Sequence, residues 1–214
     1  MSETPTSPRR GRPGLSPADV AAGRQRIAGV AERLFRTEGF AAVSMRRLAQ
    51  EAGCAPMTLY AYFESKADIL GLIWEGFLTG LFDDLDSRAR EISAPRARLA
   101  AISRAYVSYW LVHPDRYRMV FMTEGVTQAQ VGAFVGGGDI LDRYQLFADT
   151  LAAAGVAPSR LKFANDALLS ALIGVAHNQI TVAAYAWAPG EELAEMLAGA
   201  ILAEARGRPR ALSL

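Results

Sequence analysis

The stretch CAPMTLYAYFESK, residues 54–66, concentrates side chains that could read a nucleic acid. Thr58 can hydrogen-bond a base edge or a phosphate, and Pro56 and Met57 offer apolar surface to thymine methyls. Tyr60 and Tyr62 can donate to phosphates. Upstream, Ser44 heads SMRRLAQEAG. The first amides of a helix starting there would form an anion site, with Arg46, Arg47 and Lys66 adding positive charge. A second candidate is Arg10-Gly11-Arg12-Pro13, nearly copied at Arg206–Arg210. Glycine lets such a backbone sink into a narrow groove, proline keeps it extended, and the arginines lie along an A·T-rich floor. Enzyme chemistry finds little support. The chain has one cysteine, Cys54, and two histidines, His113 and His177, with no HExxH, GxSxG or P-loop pattern. No cofactor or metal is expected. Cys54 reads as a packing residue, since nothing obvious would lower its pKa.

These residues need helices to position them. Ser16-Pro17-Ala18-Asp19 is a helix start with a capping-box acid, and Ile27, Val30, Ala31, Leu34 and Phe35 follow at helical spacing up to Gly39. Ser44 caps a second helix of about two turns that ends at Gly53. Pro56 opens a third, with Leu59 and Phe63 facing inward. Ser65-Lys66-Ala67-Asp68 is another capping box, opening a long apolar helix through Ile69, Ile73, Trp74, Phe77 and Leu81. Further helices are expected from Pro95 to His113, over DRYRMVFM, and at about 139–154, 159–187 and 190–206, with a loop over 124–138. The expectation is all-α with nine helices: a basic disordered arm (1–15), a helix-turn-helix head (16–66), a helical core (67–206) and a disordered tail (207–214).

Charge follows the same division. Net charge is +1 over 214 residues. Through Lys66 ten Lys and Arg face six Asp and Glu, and beyond it 13 face 16. A basic front end on an acidic remainder points to a polyanion for the front end alone. One cysteine, no apolar leader and no run of eighteen apolar residues lead to the expectation of a soluble cytoplasmic protein with no membrane partner.

Residues 27–70 resemble the DNA-binding domain of the TetR family of transcriptional regulators. Leu34-Phe35, Gly39-Phe40, Ser44, Leu48-Ala49, Ala52-Gly53, Thr58-Leu59-Tyr60, Phe63 and Ser65-Lys66 carry the resemblance. It implies a homodimer with two N-terminal reading heads and a core whose small-molecule ligand releases DNA. By position, Pro56, Met57, Thr58 and Tyr60 align with base-proximal sites, and Ser44, Tyr62 and Lys66 with phosphate contacts. Ala55, Met57 and Ala61 depart from the usual pattern, so the operator sequence does not carry over. The competing reading is that Tyr60 and Tyr62 pack the head and that Arg46 and Arg47 are a solvated face. Arg10 and Arg12, tethered just before the head, could reach the adjacent minor groove as a homeodomain arm does. The C-terminal copy follows the last core helix, which the family fold places away from the heads.

Residues 106–122 are similar to a segment of one family subgroup, in which an aromatic helix breaks at His-Pro. Tyr106, Trp110 and His113 repeat at i, i+4 and i+7, and Trp74, Phe77, Phe121 and Met122 could face them. His177 and Asn178 interrupt an apolar helix. An aromatic wall with few polar groups is a usual small-molecule site. The alternative is that these aromatics fill the core. Leu168, Leu172, Val175 and Gln179, with Leu193, Met196, Leu197 and Ile201, repeat at helical spacing and are expected to form a four-helix dimer interface. A ligand-responsive regulator follows, a repressor by this reading, binding a near-palindromic operator.

Overall fold

Ten α-helices and no strand make up the described residues of this computed structural model, which are 16–127, 129–130 and 140–207. Helix α1, Pro17–Glu38, starts at the capping box in which Ser16 and Asp19 satisfy each other's backbone N–H groups. It ends at Gly39, whose φ of 85° favours glycine. Helix α2, Met45–Glu51, is capped by Ser44, whose side chain accepts from the Arg47 amide. Gly53, at φ 65°, turns the chain into α3, Pro56–Tyr62. Helix α4, Lys66–Glu91, begins with the Ser65–Asp68 capping box. At 1.5 Å per residue it runs about 39 Å.

Two apolar cores lie along α4. The first unites α1–α3 with its N-terminal half around Ile27, Leu34, Leu48, Leu59, Phe63, Ile69 and Trp74, and takes in Met119. The second surrounds α5, Pro95–Val112, with the distal half of α4 and three further helices. These are α8 (Gln145–Ala153), α9 (Pro158–Thr181) and α10 (Gly190–Arg206). Between the cores sits α6, Pro114–Phe121. Pro114 cannot continue α5 and instead starts α6. The four-residue α7, Ile140–Arg143, precedes α8. The expected helix at 139–154 is thus two, parted by a turn at Tyr144.

Helix α9 stops at Thr181 rather than 187. Residues 182–189 fold back instead: Gln179 Nε2 donates to the Ala188 carbonyl at 2.9 Å, and Trp187 Nε1 donates to the Val182 carbonyl at 3.0 Å. The reversal lets Gly190 pack against α5, where an added Cβ would lie 2.6 Å from Leu111 Cδ1 and 3.2 Å from Val107 Cγ1.

The expected dimer contacts divide. Leu168, Leu172 and Val175 are buried within the chain, so they are intrachain core and not an open face. Gln179 is spent on Ala188. A helical repeat marks the side a helix buries, not the chain it is buried against. Leu193, Leu197 and Ile201 are half-buried at the edge of the core, and Met196 is 59% exposed. The outer side of α9 carries Phe163, 74% exposed, with Ser170 and Gly174, where nothing lies within 4 Å of an added Cβ.

Candidate nucleic-acid interface and effector core

Helix α3 presents one face to solvent. Leu59 is buried and anchors the helix, while Pro56, Met57, Thr58, Tyr60 and Ala61 are exposed, Met57 by 80% and Tyr60 by 51%. Anchoring by Leu59 and the turn at Gly53 fix which face points outward. Ser44 and the start of α2 are exposed as well, and Arg46 is exposed with no ion pair among the described residues. Among the described residues the side chains of Pro56, Met57, Thr58, Tyr60 and Arg46 therefore have no polar partner, while Ser44 is exposed but holds the α2 cap.

Three other expected contacts have different employment. Lys66 Nζ donates to the carbonyls of Val43 (2.7 Å), Ala41 (3.4 Å) and Phe40, and lies 4.3 Å from the centroid of the Phe40 ring. Its three protons clamp the α1–α2 turn to the start of α4, and burial holds its pKa below the ordinary value. It is a positioning residue here, where a phosphate contact was expected. Arg47 lies between Glu51 (2.9 Å) and Glu38 (3.5 Å), and Glu51 also takes Arg33 at 3.0 Å. Its charge is matched within the head. Tyr62 is half-buried, its ring lying so close to α1 that a Cβ at Gly23 would come within 2.8 Å of Cζ. The Tyr62 hydroxyl makes no hydrogen bond among the described residues.

Sequence reasoning missed the clamps. Arg24 donates to the Tyr62 carbonyl and lies 4.3 Å from the centroid of the Phe63 ring, and Arg26 donates to the Ala52 carbonyl at 3.3 Å. No sequence signal distinguishes these arginines from solvated ones. Arg10 and Arg12 lie outside the described residues. The C-terminal copy begins at Arg206. Arg160 Nη1 donates to the Gly207 carbonyl at 2.9 Å, fixing that end beside the N-terminus of α9. The other end of α9 meets α6, where Arg118 donates to the Ile180 carbonyl at 3.3 Å. The 24 residues of α9 hold the two ends about 36 Å apart.

The expected effector residues also separate. Tyr106 and Trp110 come together, joined by Tyr117 and Phe121 in a run of ring contacts. Trp110 lies 6.2 Å from Tyr106, 5.7 Å from Tyr117 and 5.4 Å from Phe121, each nearly edge-to-face. Tyr144 and Phe147 extend the run past Tyr106. Trp74 lies instead in the head-side core, its indole donating to the Met119 carbonyl at 2.8 Å. Phe77 is at the same joint, 4.9 Å beneath the Arg116 guanidinium, and its carbonyl accepts from Tyr109 Oη at 2.9 Å. His113 leaves the Tyr106–Trp110 face because α5 ends at Val112 and its own φ and ψ, −121° and 60°, are not helical. It lines a cleft of about 210 Å³ between α1 and α6 with Glu32, Arg36, Phe77 and Arg116, and a groove of about 670 Å³ along the outer face of α5. Burial, then the Arg116 charge, lower its pKa. His177 and Asn178 are exposed, and His177 Nδ1 lies 3.3 Å from Tyr117 Oη. Among the described residues no group of three or more His, Cys, Asp or Glu could hold a metal ion, and no helix is long and apolar enough to cross a membrane.

Residues 27–73 match the family described as bacterial regulatory proteins, tetR family. Over 140 residues the chain is 31% identical to a Mycobacterium tuberculosis protein named for transcriptional regulation of mycofactocin biosynthesis, MftR, covering 60% of this chain and 69% of that one. The chain belongs to the TetR family of bacterial transcriptional regulators. This TetR-family chain is also 29% identical, over 119 residues, to the transcriptional activator FasR of Mycolicibacterium smegmatis, across 56% of this chain and 53% of that protein. Its fold matches the solved structure of FadR, a fatty acid degradation regulator of Bacillus halodurans, with a TM-score of 0.68 at 16% identity, covering 91% of this chain and 99% of that one. TetR regulators are not enzymes, so the chemistry sought in the chain is that of binding.

Proposed function

We propose that this TetR-family chain is a ligand-responsive repressor that binds a near-palindromic operator as a homodimer and is released by a small molecule entering the core around α5. The observation that carries the DNA half is the outward face of α3. Among the described residues the side chains of Met57, Thr58 and Tyr60 make no hydrogen bond or ion pair, whereas the neighbouring basic residues Arg24, Arg26, Arg47 and Lys66 are engaged inside the head. Arg46 and the Ser44 cap contact phosphate, and Arg10 and Arg12 reach the adjacent minor groove. The dimer forms through the outer side of α9 and the edge of α10, with Phe163, Leu193, Met196, Leu197 and Ile201 in the interface.

Release is a population shift. Helix α6 touches the core through Arg118 and Ile180 and touches the head through Met119 and Trp74. A ligand that moves α6 therefore changes the spacing of the two heads. A coupling of about 1–3 kcal/mol would change operator affinity roughly 5–150-fold. One similar protein is named an activator, so the sign of regulation is read from a reporter fused to the bound site. DNA selection with the purified protein tests the proposal. The expected product is a two-fold repeat whose half-sites lie about one helical turn, or multiples of it, apart, and Tyr60→Ala weakens binding to it while dimers persist. An asymmetric site, or binding unchanged by Tyr60→Ala, would overturn it.

A further inference from the structure

The inner face of α5 carries two buried polar groups that lack a partner at full hydrogen-bond geometry among the described residues. Trp110 is fully buried, and its indole N–H, though near enough to the Tyr106 oxygen to hold that phenol's pKa down slightly against burial, has no partner at full hydrogen-bond geometry among the described residues. Ser103, two turns earlier on the same face, is fully buried and its hydroxyl also lacks a partner. Between them Tyr106 Oη faces Tyr144 Oη at 3.5 Å, longer than a good O–H···O bond. Burial raises the pKa of both phenols, so each keeps its proton at neutral pH. The three hydroxyls can each donate or accept, whereas the Trp110 indole can only donate. Native structures leave few buried donors unpaired, and an exception calls for a specific cause.

Building on the effector site proposed above, we propose that the core recognises an apolar molecule carrying an uncharged oxygen acceptor, such as a ketone, ester or amide carbonyl, seated against the Trp110 N–H and the Tyr106 and Tyr144 hydroxyls. Acceptor chemistry follows from the Trp110 indole, which can only donate. Neutrality follows from the surroundings: among the described residues no charged side chain is buried, so a carboxylate or ammonium there would go uncompensated. An apolar body follows from the rings of Phe147, Tyr117 and Phe121 on either side. Phe121 is 39% exposed and touches Trp110 directly, so the ring run leads from the surface to the unused donors.

The test uses the full chain and two isosteric probes, acetophenone and α-methylstyrene, in which C=CH₂ replaces C=O. Binding is followed by the ¹⁵N–¹H signal of the Trp110 indole, assigned with Trp110→Phe. Acetophenone is expected to bind about tenfold tighter than its hydrocarbon partner, since it satisfies an otherwise orphaned donor, and to move the Trp110 signal downfield. Trp110→Phe erases that preference while keeping a ring in place, and Tyr106→Phe reduces it should Trp110→Phe fail to fold. Equal affinity for the two probes, no binding of either, a preference that survives both variants, or an indole already bonded to a resident water and unmoved by the ketone would each overturn the inference. Operator binding measured on the same samples is a separate readout. If the wild-type chain binds no operator, the regulator proposal fails, and the probe comparison still decides this one.

Discussion

Lys66 distinguishes the structural account of the head from the expectation drawn from sequence. If its ammonium clamps the α1–α2 turn, Lys66→Met removes hydrogen bonds to Phe40, Ala41 and Val43 and the contact with the Phe40 ring. Hydrogen bonds to a charged group contribute about 1.5–3 kcal/mol each when sheltered. The site is partly open, so water replaces some of that, and the retained methionine stem keeps much of the packing. A net loss of about 1–2 kcal/mol is expected. For a protein of this size that lowers Tm by about 2–8 °C. A phosphate contact behaves otherwise: its removal leaves Tm unchanged and reduces the slope of log Kd against log salt by about one. Thermal unfolding followed by circular dichroism, alongside salt titration of duplex binding well below Tm, separates the two. Arg46→Ala is the internal comparison, with its Tm within about 1 °C of wild type and its slope reduced by about one. A Lys66→Met protein with wild-type Tm and a reduced slope would refute the clamp.

Three further outcomes follow from the structure. Gly190→Ala forces a methyl against Leu111, Val107 and Gln179 and should cost about 1–3 kcal/mol of stability by overpacking, read from urea unfolding. Introducing a charge at the proposed interface with Phe163→Glu and Met196→Glu should give a folded monomer by light scattering. Leu172→Asn, inside the chain, should instead lower Tm, and a folded dimer from the double variant would remove this face from the interface. His113 has a depressed pKa in the folded state, so the unfolded chain binds its proton first as pH falls. Its contribution is intact above the ordinary value of 6.5 and is lost as pH drops through and below it. His113→Gln should therefore flatten the acid side of the Tm-against-pH curve.

Local chemistry made much of the head legible. The capping boxes at Ser16 and Ser65, the prolines at the first turns of α1, α3, α5, α6 and α9, and the positive-φ glycines at 39 and 53 act over a few residues, and each marks a helix end where the structure has one. The buried stripe with Leu59 at its centre decides which side of α3 faces out, so Met57, Thr58 and Tyr60 could be chosen before any coordinate was known. Harder were residues whose role depends on a distant partner. Lys66 binds carbonyls 23–26 positions away, and Arg24 meets Tyr62 across 38. A cation clamping carbonyls has the same spelling as one awaiting a phosphate.

The sequence by itself determined the all-helical class, the helix-turn-helix and its outward face, because helix periodicity, capping and turn conformation are short-range properties. Tertiary structure alone decided what each inward stripe packs against. It placed Leu168, Leu172 and Val175 inside the chain, moved Trp74 and Phe77 to the head–core joint, and turned His113 off the Tyr106–Trp110 face. It also left the Trp110 N–H and the Ser103 hydroxyl without partners at full hydrogen-bond geometry among the described residues. Period 3.6 says which side of a helix is buried. Only the crossing of helices far apart in the chain says which neighbour buries it, and whether that neighbour supplies an acceptor.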